Sequence, residues 1–163
     1  MDGTVTAMRY PDSKNRESVD DGIRFQDYVC ELLAGEHIII QNFSSKRYQL
    51  AVGENLQGIE IKLDNRCIET QRLSIEIAEK TRADKTDWTN SGIYRDDNSW
   101  LYIQGNFEIV FIFQKNLLQM LHRTNRYKTG ETNTIRKFYL PFAAARKYAG
   151  KVIELDDDKL SLR

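Results

Sequence analysis

The run Ile59–Leu63, "IEIKL", constrains the fold more than any other stretch of the chain. Alternate side chains of a strand share a face, so Ile59, Ile61 and Leu63 turn into a core while Glu60 and Lys62 point together to the other side. A second run of the same period, "RLSIEIA", sets Leu73, Ile75 and Ile77 against Ser74, Glu76 and Ala78. Both read as strands.

Ahead of them, Phe25, Tyr28, Val29, Leu32 and Leu33 form an apolar stripe at helical spacing. The stripe predicts a helix from about Ser18 to Ala34, with Ser18 and Asp21 as its capping box, Asp20 and Asp21 at the positive end of its dipole, and Gly35 as its stop. "HIIIQNF" reads as a buried strand, and "KRYQLAVG" with "GIEIKLD" as an antiparallel pair with "ENLQ" at or near the turn. Residues 79–99 are polar and lack a sustained period, which marks a functional or mobile stretch.

"WLYIQGNFEIVFIF" reads as a hairpin, and "QKNLLQMLHR" as a short helix with Leu117, Leu118 and Leu121 inward. A basic connector precedes the strand "IRKFYL"; Pro141 opens a last helix, Gly150 ends it, and "KVIEL" follows as an edge strand. The expected class is α/β of the mixed α+β kind, with a central mixed sheet flanked by helices. We expect a polar lead-in over 1–17, a single domain over 18–155 and a charged tail over 156–163.

A chain of 163 residues buries about two-thirds of its unfolded surface, enough core for a rigid site. No apolar run approaches the ~18 residues needed to span a bilayer, and the first residues lack the apolar core of a secretory signal. An intracellular, cytoplasmic protein with no membrane partner is expected. Cys30 and Cys67 have neither CxxC nor His-linked spacing, so no zinc cluster or disulfide framework is indicated, and Cys30 reads as a small core residue. Zero formal net charge argues against a protein that coats nucleic acid nonspecifically, because counterion release rewards a large basic excess.

The chemistry lies in "GENLQGIEIKLDN". Glu54 sits just before the expected turn, close enough to return to the end of the strand that carries Glu60 and Lys62. Two carboxylates converging on one point repel, and a hard cation removes the repulsion. Mg²⁺ takes one or two carboxylates, phosphate oxygens and several waters, so Glu54 and Glu60 suit it, with the main-chain carbonyl of Ile61 as a further ligand. Lys62 would then hold the attacking water or offset charge growing on phosphoryl oxygens. Gln26 falls on the margin of the helical stripe and looks along the sheet toward the same place. The plain alternative is a cross-strand salt bridge on a solvated hairpin.

"GIRFQDYVCELL", a following strand and then E-x5-E-x-K resemble the PD-(D/E)xK, restriction-endonuclease-like nuclease superfamily. The resemblance covers about Gly22 to Lys80, and the wording "GIExK" is similar to the mismatch-repair nicking endonuclease group. It implies a helix leading into a strand hairpin, with an acid ending the second strand and the (D/E)xK on the third binding metal and activating water. Gly22 and Phe25 match the helical GxxFE pattern, and Glu60 and Lys62 match ExK. Gln26 stands where Glu is usual, and Glu54 where Asp is. The implied activity is Mg²⁺- or Mn²⁺-dependent hydrolysis of DNA phosphodiesters by Glu54, Glu60, Lys62 and Gln26, by a protein that pairs with a second copy if it cuts both strands. The alternative is a nucleic-acid or protein binding module that keeps the fold without catalysis; a structural or assembly protein is a third reading.

Several residues support a nucleic-acid partner. Glu76 faces the same site if its strand is adjacent, and otherwise a solvated sheet face. Lys80, Lys85 and Arg95 border a segment containing Trp88 and Tyr94, a combination that tracks phosphates and stacks unpaired bases, or simply anchors a loop. Arg123, Arg126, Lys128, Arg136 and Lys137 accompany the single acid Glu131 in the most basic local region, a phosphate-contact patch or a solvated linker. His122 reads as a dipole partner at a helix end. No Walker A loop, GxGxxG, HExxH or nucleophile elbow is present.

Overall fold

A computed structural model describes residues 13–154. The chain has a mixed α+β architecture with two four-stranded sheets. Residues 1–12 of the expected lead-in and the tail 156–163 lie outside the described residues.

Helix α1 spans Ser13–Gly35, so it begins before Ser18, which is therefore within the helix and is not its cap. Phe25, Val29 and Leu33, at the i, i+4, i+8 spacing that aligns side chains on one face, are buried. They pack with Ile59, Ile61, Ile103 and Val110 of the first sheet in one core cluster, joined by half-buried Tyr28, Leu32 and Cys30. Truncating a buried aromatic such as Phe25 to Ala costs about 3–5 kcal/mol. Gly35 is also not the stop: it stays helical, and His37 adopts the left-handed conformation at φ 64°. His37 N–H donates to Ala34 and Ile38 N–H to Leu33, the paired bonds that close a helix in a Schellman motif.

The segment from His37 to Phe43 forms no strand. Ile38 and Ile39 are exposed, and only Asn42 makes an isolated bridge, to Asn55. The main-chain bonds of this stretch go to the loop before the 59–63 strand: Leu56 N–H donates to Gln41 O, Phe43 N–H to Glu54 O, and Gln41 N–H to the Gln57 side chain, so no continuous ladder forms. "KRYQLA" is helix α2, Lys46–Ala51, capped by the Ser45 hydroxyl, which accepts from Tyr48 N–H. The expected hairpin with the 59–63 strand is thus absent.

The first sheet contains β1 (Ile59–Leu63), β4 (Leu101–Gly105), β5 (Ile109–Gln114) and β8 (Lys151–Glu154) in the order β1-β4-β5-β8. β1 runs parallel to β4, and the other pairs are antiparallel. The second sheet contains β2 (Arg72–Glu79), β3 (Thr89–Asn90), β6 (Thr129–Glu131) and β7 (Ile135–Pro141), wholly antiparallel in the order β3-β2-β7-β6. The expected hairpin is β4 and β5, and "KVIEL" supplies the edge strand β8. Helix α3 (Cys67–Thr70) joins β1 to β2, α4 (Lys115–Arg123) follows β5, and α5 (Phe142–Tyr148) follows β7 with Pro141 as its N-cap.

A second core cluster joins Leu73, Ile75, Phe138 and Leu140 to Tyr102, Phe111, Phe113 and the inward side of α4, where Leu118 and Leu121 are buried and Leu117 half-buried. Cys67 is fully buried in it, and both cysteines are free. The sheets are also joined by polar contacts. Asp64 Oδ2 accepts from Ser74 N–H at 2.8 Å and from Gln104 Nε2 at 3.3 Å, and the same Gln104 amide donates to Ser74 O at 3.0 Å. Among the described residues no helix is long and apolar enough to cross a membrane.

Candidate active site

Glu54 reaches β1 from a clamped loop. On one side, Phe43 N–H donates to Glu54 O and Leu56 N–H to Gln41 O. On the other, Asn98 donates its amide to Asn55 O at 2.9 Å and its main-chain N–H to Val52 O at 2.7 Å. Gly53, at φ 138°, lies so close to Asn98 that a Cβ there would overlap its side chain. The fully buried Asn55 completes the clamp, its amide donating to Ile59 O at 2.6 Å and accepting from Ile59 N–H at 2.9 Å.

β1 carries the rest. Its odd residues face α1, and Glu60 and Lys62 face the second sheet, in register with Tyr102 and Gln104 of β4. The Lys62 ammonium stands 3.1 Å from Glu60 Oε1 and 3.6 Å from Glu54 Oε1. The expected convergence of Glu54, Glu60 and Lys62 is present, although a loop and not a hairpin strand delivers Glu54. The Glu60 side chain is only 2 % exposed and that of Lys62 31 %. Among the described residues the Lys62 ammonium is the one polar partner placed against the buried Glu60 carboxylate.

Burial raises the Glu60 carboxyl above its ordinary range; Lys62 pulls it back, and Glu54 pushes it up further. Burial alone would lower Lys62, but the carboxylates of Glu60, Glu54 and Glu76 outweigh it and hold the ammonium above the usual lysine range. Lys62 is thus the counter-cation of the acidic cluster.

Position 61 offers an oxygen as well. Gly58 O accepts from Leu101 N–H and Asp64 N–H donates to Gly105 O, so the even residues of β1 pair with β4. Alternation turns the main-chain groups of Ile61 to the open edge of the sheet, in a cleft of about 680 Å³ shared with Glu54, Lys62 and Gln26. Gln26 donates to Asn42 Oδ1 at 3.3 Å. Among the described residues no group of three or more His, Cys, Asp or Glu side chains is arranged to hold a metal. Two carboxylates and a carbonyl nevertheless match the donor chemistry of Mg²⁺, which keeps several waters.

Lys62 also lines a second cleft, of about 410 Å³, between the two sheets. Glu76 is there, beside its ladder partner Lys137, so its strand does place it at the site. The same cleft holds residues that had no assigned role from sequence: Asp64, Arg66, Arg72, Ser74, Tyr102, Gln104 and Tyr139. Asp64 was accessible by pattern, since it continues the 60, 62 alternation. The others come from distant strands. Burial holds the Tyr102 hydroxyl well above the ordinary tyrosine range, and the carboxylates of Glu60, Glu76 and Glu54 add to that.

The outlying basic residues fare differently. Arg95 is tied into the fold, its guanidinium donating to Gln49 O at 3.3 Å and standing 3.7 Å from Asp97. Lys80 and Arg136 sit over the Trp88 ring, at 4.6 and 4.1 Å from its centroid. Arg123 lies 5.9 Å from the Tyr94 ring, whose hydroxyl is 2.8 Å from His122 Nδ1. Lys85, Arg126 and Lys128 are exposed and line neither cleft. Burial, with Arg123 beside it, lowers the His122 imidazole.

No family model, curated protein or solved structure matches the chain.

Proposed function

We propose that the chain is a metal-dependent, PD-(D/E)xK-type endonuclease that hydrolyses DNA phosphodiesters. The observation that supports this most directly is the buried Glu60 carboxylate sharing one ammonium with Glu54, on the Lys62 side chain that lines both clefts. One ammonium offsets only one of the two carboxylates, so the pair keeps a net negative charge that costs stability unless a further cation meets it. The retention of Glu60 beside a second acid and an open-edge carbonyl is what a cation site requires.

In this reading Glu54, Glu60 and the Ile61 carbonyl hold Mg²⁺ or Mn²⁺, which supplies Lewis-acid polarisation of a phosphoryl oxygen when bound. Lys62, beside both carboxylates, would offset charge growing on the phosphoryl oxygens. Gln26, across the same cleft, orients a water through its amide. Two free cysteines accord with a reducing, cytoplasmic setting.

The test is nicking of a labelled DNA by purified protein with Mg²⁺ or Mn²⁺. Cleavage lost in Glu60→Gln, together with the heat of metal binding, supports the site; equal cleavage by that variant overturns it. The ion triplet itself favours one other reading, a binding module without catalysis, because Lys62 already offsets one carboxylate and Gln26 adds no charge. That reading predicts no heat of Mg²⁺ or Mn²⁺ binding at millimolar concentration, with DNA still retained at low salt.

A further inference from the structure

The cleft between the sheets contains polar groups that the carboxylate pair does not use. Gln104, 2 % exposed, spends its amide N–H groups on Ser74 O and Asp64 Oδ2, and among the described residues its buried Oε1 has no partner. Arg72 Nε is likewise buried and, among the described residues, unpaired. The Tyr102 hydroxyl lies beside the Glu76 main chain without a well-formed hydrogen bond. Native proteins pair nearly all such groups, so an unpaired acceptor and an unpaired donor lining one cleft mark where a ligand completes them.

Arg72 is preset for an anion. Its guanidinium lies 4.0 Å over the Tyr139 ring, which fixes its plane and leaves its edge N–H groups for a forked contact. Gly130 lies against Tyr139 so closely that any Cβ would overlap the ring. Lys137 shares the Tyr139 face of β7 and stands in register with Glu76, while Asp64 accepts from Gln104 and Ser74. A volume of about 410 Å³ is the size of a small-ligand site, which admits one nucleotide unit and not a duplex.

We propose that this cleft seats one unpaired nucleotide of the strand being cut, with a phosphate on Arg72 and the base edge on Gln104 Oε1. The proposal rests on the nuclease reading above. Each base carries an N–H donor on its pairing edge, so Gln104 accepts from any of them once the base is unpaired, and the cleft selects single-stranded or unpaired substrate without a sequence preference.

The test is fluorescence anisotropy in EDTA with a labelled oligothymidylate and a labelled hairpin duplex, at several salt concentrations. Wild type binds the single strand more tightly. Arg72→Gln weakens that binding by roughly tenfold or more and lowers the salt slope by about 0.7. Thr132→Trp, an exposed position lining the cleft, blocks the single strand while sparing Arg72, and decides the matter if Arg72→Gln fails to fold. Equal affinity for both DNAs, or wild-type binding by the folded variants, overturns the proposal. A parallel cleavage assay separates the two readings. Arg72-dependent binding without cleavage removes the nuclease and keeps the cleft; cleavage indifferent to both substitutions removes the cleft alone.

Discussion

Glu60 Oε1 lies 3.1 Å from Lys62 Nζ on a side chain that is almost wholly buried, while Lys62 remains partly open to solvent. The two residues point together because they alternate on one strand. Their burial is unequal because β1 is an edge strand whose polar face is covered by the second sheet on only one side. Removing the lysine therefore strands a buried charge.

Lys62→Met is expected to lower stability by about 2 kcal/mol near neutral pH, below the roughly 3–5 kcal/mol of a wholly buried pair because Lys62 is partly solvated. The loss should shrink in acid, where Glu60 protonates and no longer needs a partner. Urea unfolding at two pH values checks both statements; an equal loss at each would mean that Glu60 is not the charge left behind.

Glu60 itself gives a pH signature. Its folded-state value lies above the ordinary 4.5, so the native state holds that proton more tightly than the unfolded chain does. Its contribution is fully present below pH 4.5 and is lost as pH rises through the raised value. Lys62, also raised, contributes stability below its ordinary 10.5 that disappears as pH climbs through the folded-state value. Thermal melts of Glu60→Gln against wild type between pH 4 and 8, roughly the carboxylate window, should diverge upward in favour of the variant as pH rises. Parallel curves would refute the assigned shift.

Asn55→Ala removes both hydrogen bonds to Ile59 and leaves buried main-chain groups unpaired, at a cost of about 2–4 kcal/mol. Because the same residue anchors the loop that carries Glu54, metal affinity should fall with stability. Calorimetry on folded protein at low temperature separates the two effects.

Gln26→Glu introduces the helical acid that the PD-(D/E)xK resemblance implies, in the cleft shared with Glu54 and Lys62. Under the nuclease reading Mn²⁺ should bind more tightly, by severalfold, and cleavage should rise. Unchanged affinity would mean that the residue does not address the metal.

Much of the fold was legible from local pattern. The α1 stripe, β1, β2, the β4–β5 hairpin, α4, β7 and α5 rest on periodicities of two or 3.6 residues that a chain cannot satisfy otherwise. The errors fell on the ends of α1, where Ser18 and Gly35 lie inside the helix, and on segments 37–43 and 46–51. "HIII" has the composition of a strand, but its segment bonds to the loop before β1 and not to a strand, and "KRYQLA" alternates like a strand yet is closed into a helix by Ser45. The partners of 37–43 lie outside any local window, whereas the cap of 46–51, Ser45, adjoins the segment and tips it from strand to helix.

By itself the sequence determined that Glu60 and Lys62 share a face, since the pleat of a strand leaves no alternative. Only the tertiary structure decided which side that face meets. Packing α1 on the odd residues turned the even ones toward the second sheet, and the clamp of Asn55 and Asn98 brought Glu54 to the same ammonium. Burial, and with it the displaced protonation of Glu60, is a property of what covers a residue; here the cover is strands distant in the chain.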